Sequence, residues 1–225
     1  MSARQILITG ASAGIGAALA ELYAERYGSA LTLGLVARRA ERLAGLAARL
    51  GAQGARVRTY PADVREREPM AAVARAFLAD AGGVTLAIAN AGQSRADRLH
   101  TGDATPGVEM VLTNVAGVIH TLAPLIPALI EQGHGHLAAL GSVAGFRGLP
   151  GKGAYCASKA AVKMLMDAWR VELRRHGIRV TTICPGWVET EMTENNPYPM
   201  PFLMKAERAA ELIVDLFMLG HTNRF

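Results

Sequence analysis

The amino-acid sequence predicts an α/β protein, in which one doubly wound parallel sheet carries helices on both faces. Short runs rich in β-branched and other apolar residues alternate with longer amphipathic runs rich in Ala, Leu and Arg, and no linker-like stretch divides them. Such alternation favours parallel strands joined by right-handed helical crossovers. The 225 residues, 51% of them apolar, suit a single domain over 1–225 with a large core.

Six strands and six helices are predicted along the chain. The strands are Gln5–Thr9, Ala30–Val36, Arg56–Tyr60, Val84–Ala89, His136–Leu140 and Arg179–Ile183. The helices are Ile15–Tyr27, Ala40–Leu50, Glu66–Asp80, Pro106–Gln132, Gly153–His176 and Ala206–Leu219. The remaining long segment, Pro185–Lys205, is rich in Pro, Asn and Met and is predicted to be a loop.

Composition argues against several classes of protein. The net charge of +5 is modest and the arginines are scattered, so no nucleic-acid partner is expected. Two cysteines, Cys156 and Cys184, lack disulfide or metal-ligand spacing, which fits a reducing cytoplasm. We also expect no metal site, no signal peptide and no membrane-spanning segment, since no apolar stretch near 20 residues is evident.

A glycine-rich turn, Thr9–Gly16, follows the first strand and opens the first helix. Glycines allow a tight turn and close approach to a phosphate, which would also meet the free N–H groups of the helix N-terminus. The spacing is G-x-x-x-G-x-G and departs from the usual G-x-G-x-x-G; a simple connecting turn is the alternative. The residues expected to bind a cofactor here are Gly10, Ser12, Ala13, Gly14, Ile15 and Gly16.

Two arginines, Arg38 and Arg39, follow the second strand, where an NAD-preferring dehydrogenase usually has a carboxylate for the ribose. A guanidinium matches a 2′-phosphate in charge and in bidentate geometry. The pair therefore predicts a preference for NADP over NAD. The alternative is that both are solvated residues at the start of a helix.

The ends of strands three and four supply further candidates for the cofactor site. Asp63, followed by Val64, is placed to accept a hydrogen bond from an adenine amino group, although a cap on the next helix would look the same. Asn90, Ala91 and Gly92 are small or turn-forming residues that let the backbone approach a cofactor, and a plain turn is again the alternative.

The strongest chemical signal is Tyr155 and Lys159, four residues apart on a predicted helix and thus on one face. An ammonium beside a phenol lowers the phenol pKa from about 10, giving a proton donor and acceptor near neutral pH. Ser142, thirteen residues before the tyrosine, adds a second hydroxyl. Two hydroxyl donors can stabilise the negative charge that develops on a carbonyl oxygen when a hydride adds to it. Such a pair on a helix surface more often only packs, and Cys156 between them is read as a small helix residue.

Taken in order and spacing, these motifs resemble the classical short-chain dehydrogenase/reductase family over about residues 4–215. The residues that carry the resemblance are Thr9–Gly16, Asn90-Ala91-Gly92, Asn114, Ser142, Tyr155, Lys159 and Pro185-Gly186. The resemblance implies a Rossmann-like fold with strand order 3-2-1-4-5-6-7. It also implies an NADP(H)-dependent oxidoreductase acting on a carbonyl or secondary alcohol, as homodimer or homotetramer through its two long helices.

The resemblance further implies a role for each site residue. Tyr155 would be the general acid or base, Ser142 would orient the substrate oxygen, and Lys159 would hold the nicotinamide ribose and tune the tyrosine. Asn114 would support a proton relay to Lys159; read alone, it is a helix-interior residue with a local hydrogen bond. The residues that would position the nicotinamide are Pro185, Gly186, Val188 and Thr190.

A substrate loop over about 187–204 is expected at the carboxyl edge of the sheet, where ligands bind in such folds. Its apolar residues suggest a lid over an apolar pocket, although they would equally pack beneath a surface loop: Met192, Tyr198, Met200, Phe202 and Met204. The pocket itself is expected to include Ser142, Tyr155, Trp187 and Met192.

Several points stay open in the sequence. The seventh strand is doubtful, because only the short polar stretch Gly220–Phe225 follows the last helix. His134 and His136 suit a turn better than a metal site, and His100 fits a pocket wall or a solvated loop equally. The competing functions are a catalytically silent NADP-binding sensor of the same fold and an adenosylmethionine-dependent enzyme using the glycine turn.

Overall fold

A parallel sheet of six strands forms the centre of this computed structural model, which describes residues 4–194, 196 and 199–218. Within that part of the chain the strand order is β3-β2-β1-β4-β5-β6, as predicted. The strands are β1 (Arg4–Thr9), β2 (Leu31–Ala37), β3 (Arg56–Pro61), β4 (Leu86–Ala89), β5 (Gly135–Leu140) and β6 (Ile178–Ile183). The question of a seventh strand concerns Gly220–Phe225, which lies outside the described residues.

Helices cover both faces because neighbouring residues of each strand point to opposite sides. Ile6 and Ile8 of β1 lie in a core with three of the helices, whereas Leu7 lies in the core on the other face. The first core includes α1 (Gly14–Tyr27), α2 (Ala40–Ala52) and α8 (Ala206–Met218). The second includes α3 (Arg67–Ala81), α5 (Gly117–Leu122), α6 (Ile126–Gln132) and α7 (Gly153–Leu173).

The long helix predicted over Pro106–Gln132 is interrupted. It begins as α4 (Thr105–Val111), passes through a π-helical turn at Leu112–Ala116, and changes to a 3₁₀ turn at Ala123–Leu125 between α5 and α6. Proline lacks the N–H that an α-helix needs, so Pro124 and Pro127 explain the second interruption. The π turn contains Asn114, and such turns are frequent at functional sites.

This same helical stretch corrects an expectation about membranes. By length and composition alone, the 28 residues Thr105–Gln132 are apolar enough to cross a bilayer. However, Val118, Leu122 and Leu129 pack in the core beside the sheet. The expectation that no apolar stretch near 20 residues exists was therefore wrong, and core packing accounts for part of the apolar character.

The segment predicted as a loop, Pro185–Lys205, contains short strands. Val188–Glu189 (β7) pairs in parallel with Met204–Lys205 (β8), and the amide of Met204 donates to the carbonyl of Trp187 at 3.1 Å. These contacts bring the two ends of the segment together and fix where it leaves and rejoins the body of the protein.

A buried histidine in β5 makes stability depend on pH. The ring of His136 lies 2.8 Å from the hydroxyl of Thr181 and packs edge-on against Phe217. Burial, helped by the charge of Arg179, lowers the pKa of His136 from 6.5 to about 3. The unfolded chain therefore binds more protons between those pH values, and the folded state loses stability as the pH falls below about 6.5.

We expect the wild-type free energy of unfolding to fall by about 2 kcal/mol between pH 6.5 and pH 5 through this residue. His136→Gln keeps a hydrogen-bonding group for Thr181 but does not titrate, so its stability should change less over that range. His134→Gln, at an exposed position, is the matched control. Denaturant unfolding at both pH values measures the effect; equal pH slopes for wild type and His136→Gln would contradict it.

Candidate active site

The carboxyl edge of the sheet opens into a cavity of about 930 Å³. Loops after β1, β2, β3, β4, β5 and β6 all line it, which is expected because parallel strands end at the same edge. The sequence-predicted residues in its wall are Gly10, Ser12, Ala13, Gly14, Ile15, Arg38, Arg39, Asp63, Val64, Asn90, Ala91, Gly92, Ser142, Tyr155, Lys159, Pro185, Gly186, Trp187, Val188, Thr190 and Met192.

The glycine turn is held open to this cavity by backbone geometry. Gly10 and Gly14 have φ of +67° and +55°, a region that side chains disfavour. A Cβ on Gly10 would also lie 2.8 Å from the Cα of Ala91, and one on Gly14 2.9 Å from Cγ2 of Thr190. These glycines therefore permit the turn to pack closely against the loops on either side.

Helix α1 begins at this turn without a side-chain cap. Ala13 is its N-cap, and its first turn has no acidic residue. The free N–H groups and the helix dipole favour an anion at this point. Asn90 holds the turn in place, because its side-chain amide donates to the carbonyls of Thr9 (3.0 Å) and Gly10 (3.3 Å).

One residue of the predicted phosphate turn has a different place. Gly16 is absent from the cavity wall among the described residues. A Cβ there would lie 2.5 Å from the carbonyl oxygen of Gly10 and 2.5 Å from the side-chain nitrogen Nδ2 of Asn90. The absence of a side chain at Gly16 thus lets α1 pack closely against the turn.

The two arginines after β2 have different surroundings. Arg38 has a side chain 72% exposed and lies 3.9 Å from the carboxylate of Asp63. Arg39 donates to the hydroxyl of Ser12 at 3.1 and 3.2 Å and pairs with Glu191 at 2.9 Å. Glu191 also binds Arg42, so a carboxylate from the segment after β6 reaches the start of α2.

Asp63 is occupied by a neighbouring arginine. Its carboxylate accepts hydrogen bonds from the Arg65 side chain at 2.6 and 2.9 Å and from the Arg65 amide at 3.0 Å. Burial opposes ionisation, but these bonds outweigh it and lower the pKa of Asp63. The helix-cap alternative is wrong, because Glu66 is the N-cap of α3.

Ser142, Tyr155 and Lys159 meet at the other side of the cavity, between the end of β5 and helix α7. Burial raises the pKa of the Tyr155 phenol, and a hydrogen bond with the Ser142 side chain offsets only part of that rise. The predicted lowering of this pKa by Lys159 is therefore wrong. The lysine Nζ lies 5.9 Å from the centroid of the tyrosine ring.

The Lys159 ammonium is engaged with the backbone. Nζ donates to the carbonyl of Leu140 at 2.7 Å, at the end of β5. Burial lowers the pKa of Lys159 from 10.5 to about 8, which brings this amine near the pH at which it exchanges protons. The lysine is thus fixed in position and has a pKa near neutral pH. Both properties suit a group in a proton relay.

Asn114 is buried behind the cavity wall and does not line it among the described residues. Its side chain exchanges hydrogen bonds with the backbone of Gln93 (2.8 and 2.9 Å) and donates to the hydroxyl of Ser158 (3.0 Å). Gly92 separates it from the lysine: a Cβ there would lie 3.3 Å from Asn114 Oδ1 and 3.6 Å from Lys159 Nζ.

Only part of the segment predicted as a lid lines the cavity. Trp187 and Met192 line the cavity, whereas Met200, Phe202 and Met204 are not in its wall among the described residues. Phe202 is 92% exposed. Tyr198 lies outside the described residues. The described apolar residues near the end of this segment therefore do not line the cavity.

Sequence reasoning missed several polar residues of the cavity. Ser94, Arg147 and Lys152 line it near Tyr155, and Glu191 lines it near Arg39. Arg147 and Lys152 follow the predicted strand His136–Leu140, so their place at the carboxyl edge could have been inferred from the sequence. Glu191 lies in the predicted substrate loop, but its pairing with Arg39 and Arg42 could not be predicted, because these partners are about 150 residues away in the sequence.

Other candidate sites offer fewer groups that could bind a ligand or react. A cavity of about 490 Å³ between α1 and α2 is lined by Glu21 and Arg49, which pair with each other at 2.8 Å. The residues that the structure describes include no cluster of three or more metal-ligating side chains. His100 is not among the cavity residues in that same part of the chain.

A glycine turn at a helix N-terminus, facing a Ser, Tyr and Lys group across one cavity, is typical of dinucleotide-dependent oxidoreductases. The profile of the short chain dehydrogenase family matches residues 4–199. The chain belongs to that family, in its classical short-chain dehydrogenase/reductase form.

Three similar proteins illustrate the relationship. An uncharacterized oxidoreductase of Myxococcus xanthus is 41% identical over 216 residues, which cover 95% of this chain and 83% of that protein. A short-chain dehydrogenase from Sphingobium yanoikuyae, solved with NADPH, is 30% identical with a TM-score of 0.86 over 96% and 85% of the two chains. A Burkholderia phymatum family member, solved with NAD, is 27% identical with a TM-score of 0.87 over 97% and 86%.

Proposed function

We propose that this oxidoreductase transfers a hydride between NADP(H) and a carbonyl or secondary alcohol, with Tyr155 as the general acid or base. The observation that carries the proposal is the meeting of Ser142, Tyr155 and Lys159 in the cavity that the glycine turn also lines. Oxidation of NADPH by a panel of ketones and aldehydes tests it. A silent sensor of the same fold would bind NADPH without oxidising it.

The residues present fit a dinucleotide. The uncapped start of α1 favours a phosphate anion, and the small residues at Gly10 and Ala91 leave the backbone accessible. The residues proposed to hold the nicotinamide end are Pro185, Gly186, Val188 and Thr190. When bound, the cofactor supplies the hydride, while the protein supplies alignment and a proton.

The proton chemistry falls to Tyr155. During carbonyl reduction the substrate oxygen becomes negative, and the phenol donates its proton to that oxygen. Ser142 donates a second hydrogen bond to the same oxygen and keeps it in line. A raised pKa keeps Tyr155 protonated and ready to donate at neutral pH. In alcohol oxidation the same groups act in reverse.

Lys159 and Asn114 support this step from behind. With its pKa near 8, Lys159 accepts or returns a proton at modest cost. Asn114 fixes the backbone at Gln93, directly after Gly92, and so sets the space beside the lysine. We assign Asn114 a positioning role in the proposed relay.

The preference for NADP is proposed from Arg38 and Arg39. Arg38 is exposed, and its one ion pair among the described residues is a long contact to Asp63, so its guanidinium is available to a 2′-phosphate. Arg39 is already paired with Glu191, which a phosphate would have to displace. We therefore assign the larger share of phosphate binding to Arg38.

Arg38→Ala is expected to raise the dissociation constant of NADPH by about tenfold or more, since a charge-assisted contact is lost. The constant for NADH should change by less than about twofold, because NADH has no 2′-phosphate. Arg75→Ala, on the exposed side of α3, is the matched control. Fluorescence titrations measure both constants, and equal losses for the two cofactors would refute the assignment.

A homodimer or homotetramer is proposed from an apolar face of α7. The exposed residues that form this face are Ala157, Ala160, Ala161, Met164, Ala168 and Val171. Helix α4 packs beside α7 and adds exposed Val108 and Val111. Adjacent apolar surfaces of this kind mark protein interfaces. The free cysteines Cys156 and Cys184 support a cytoplasmic location, which we propose with it.

A further inference from the structure

The cavity contains cations that its own carboxylates do not neutralise. Its wall has three acidic residues among the described residues, and each of these pairs with an arginine. The pairs are Asp63 with Arg65 at 2.6 Å, Glu109 with Arg95 at 3.1 Å, and Glu191 with Arg39 at 2.9 Å. The acids of the wall are thereby all accounted for.

Two further cations line the same cavity, Arg147 and Lys152. Neither has a carboxylate within 4.0 Å in the part of the chain that the structure describes. Lys152 is half-buried, and its Nζ donates to the neutral hydroxyl of Ser94 at 3.1 Å. A half-buried ammonium with only a neutral partner favours an anion in the adjoining space.

A neighbouring acid is committed elsewhere. The carboxylate of Asp97 accepts hydrogen bonds from the amides of Gly153 and Ala154, the first residues of α7. The amide of Asp97 donates to the carbonyl of Gly151 at 3.0 Å. Asp97 therefore caps α7 and holds the backbone beside Lys152 in place. Its carboxylate does not pair with Lys152, whose Nζ donates to Ser94 instead.

The position of these cations separates them from the cofactor phosphates. Arg38 and the glycine turn follow β2 and β1, whereas Arg147 and Lys152 follow β5, and β4 lies between β1 and β5 in the sheet. Both cations also lie in the segment between Ser142 and Tyr155. They therefore belong to the substrate end of the cavity.

We propose that the substrate is a carbonyl compound carrying a carboxylate or a phosphate ester, which Arg147 and Lys152 bind while Ser142 and Tyr155 hold the carbonyl. The proposal rests on the proposed function and refines it, because the sequence alone suggested no more than an apolar pocket. Val143 and Leu149, which line the same end, contact the apolar part that joins the two groups. Arginine and lysine supply the charge-assisted bonds that an anion of either kind requires.

The test uses pairs of substrates in which one member carries the anionic group and the other carries a neutral group in its place. A keto acid is compared with its methyl ester, and a keto phosphate ester with its parent keto alcohol, with NADPH as the reductant. We expect wild type to prefer the anion of at least one pair by about tenfold or more in kcat/KM, the value of one charge-assisted contact. The pair that shows the preference identifies carboxylate or phosphate.

Lys152→Met and Arg147→Met should each remove most of that preference. With NADPH kept saturating, rising salt should lower kcat/KM for the anionic substrate and not for the neutral one. Arg75→Met, which removes a charge outside the cavity, should leave the preference intact. Melting temperatures of all variants show that each is folded. Equal kcat/KM for the anionic and neutral member of both pairs in wild type would overturn the proposal, as would equal losses for both members in the variants.

A binding measurement separates this proposal from the proposed function. Calorimetry measures the affinity of the protein–NADPH complex for the hydroxy acid and for its methyl ester. A preference for the acid that Lys152→Met abolishes supports the anion site even where no turnover occurs, and the absence of turnover then counts against the proposed function alone. Equal affinity for acid and ester, together with equal affinity for the matching phosphate ester and its parent alcohol, overturns the anion site.

Discussion

Tyr155→Phe is expected to reduce carbonyl reduction by about a thousandfold, because the phenyl ring has no proton to donate to the substrate oxygen. Binding of NADPH should persist, since the ring keeps its place in the cavity wall and the phosphate residues are untouched. Turnover followed by NADPH absorbance and a fluorescence titration of the cofactor measure the two properties separately.

The matched control is Tyr60→Phe. The hydroxyl of Tyr60 donates to Asp80 at 2.8 Å, and the ring packs edge-on against Phe77, outside the cavity. This variant removes the same atom and should retain wild-type turnover. Near-wild-type turnover in Tyr155→Phe would exclude the tyrosine as the general acid and leave Ser142 or water as the donor.

Lys159→Met is expected to reduce turnover by about a hundredfold or more while the protein remains folded. The pKa of Lys159 falls from 10.5 to about 8 on folding, so the unfolded chain binds more protons between these pH values. The buried ammonium therefore destabilises the wild type below pH 8, by roughly 3 kcal/mol at most. Replacing the lysine by Met removes this destabilisation, but it also removes the hydrogen bond to the Leu140 carbonyl, which costs about 1–3 kcal/mol.

At pH 7 we therefore expect a melting temperature of Lys159→Met that equals or exceeds that of wild type. The difference should narrow as the pH rises from 8 to 10.5, because wild type regains stability over that window. Lys163→Met, one turn further along α7, removes a lysine paired with Asp167 and should leave turnover unchanged. A clear drop in the melting temperature of Lys159→Met at pH 7 would show that the lysine is mainly structural.

The sheet could be predicted from the sequence because its strands and helices are specified by short stretches of neighbouring residues. Apolar runs such as Leu31–Ala37 are buried on both faces, and the helices between strands fix parallel pairing. The carboxyl edge of a parallel sheet then brings together residues that follow different strands. Ser142 and Gly10, 132 positions apart, meet in one cavity for that reason.

The properties that escaped prediction depend on partners distant in sequence. Nothing near Tyr155 in the sequence indicates that burial raises its pKa more than the hydrogen bond with Ser142 lowers it, since burial comes from the assembled fold. The π turn that places Asn114 against Gln93 and Ser158 was likewise hidden inside a regular helical pattern. Such three-dimensional neighbours set proton affinities and fine geometry, whereas local pattern sets the element order.

Hydride transfer itself is the central claim, and isotope transfer measures it most directly. NADPH deuterated at the C4 position of nicotinamide, on either face, is incubated with the protein and a keto acid or keto phosphate ester. We expect deuterium from one of the two faces to appear on the carbinol carbon of the product, detected by mass spectrometry, and Tyr155→Phe to abolish it. If the protein binds NADPH but transfers no deuterium to these compounds or to any ketone or aldehyde of the panel, the proposed function is contradicted.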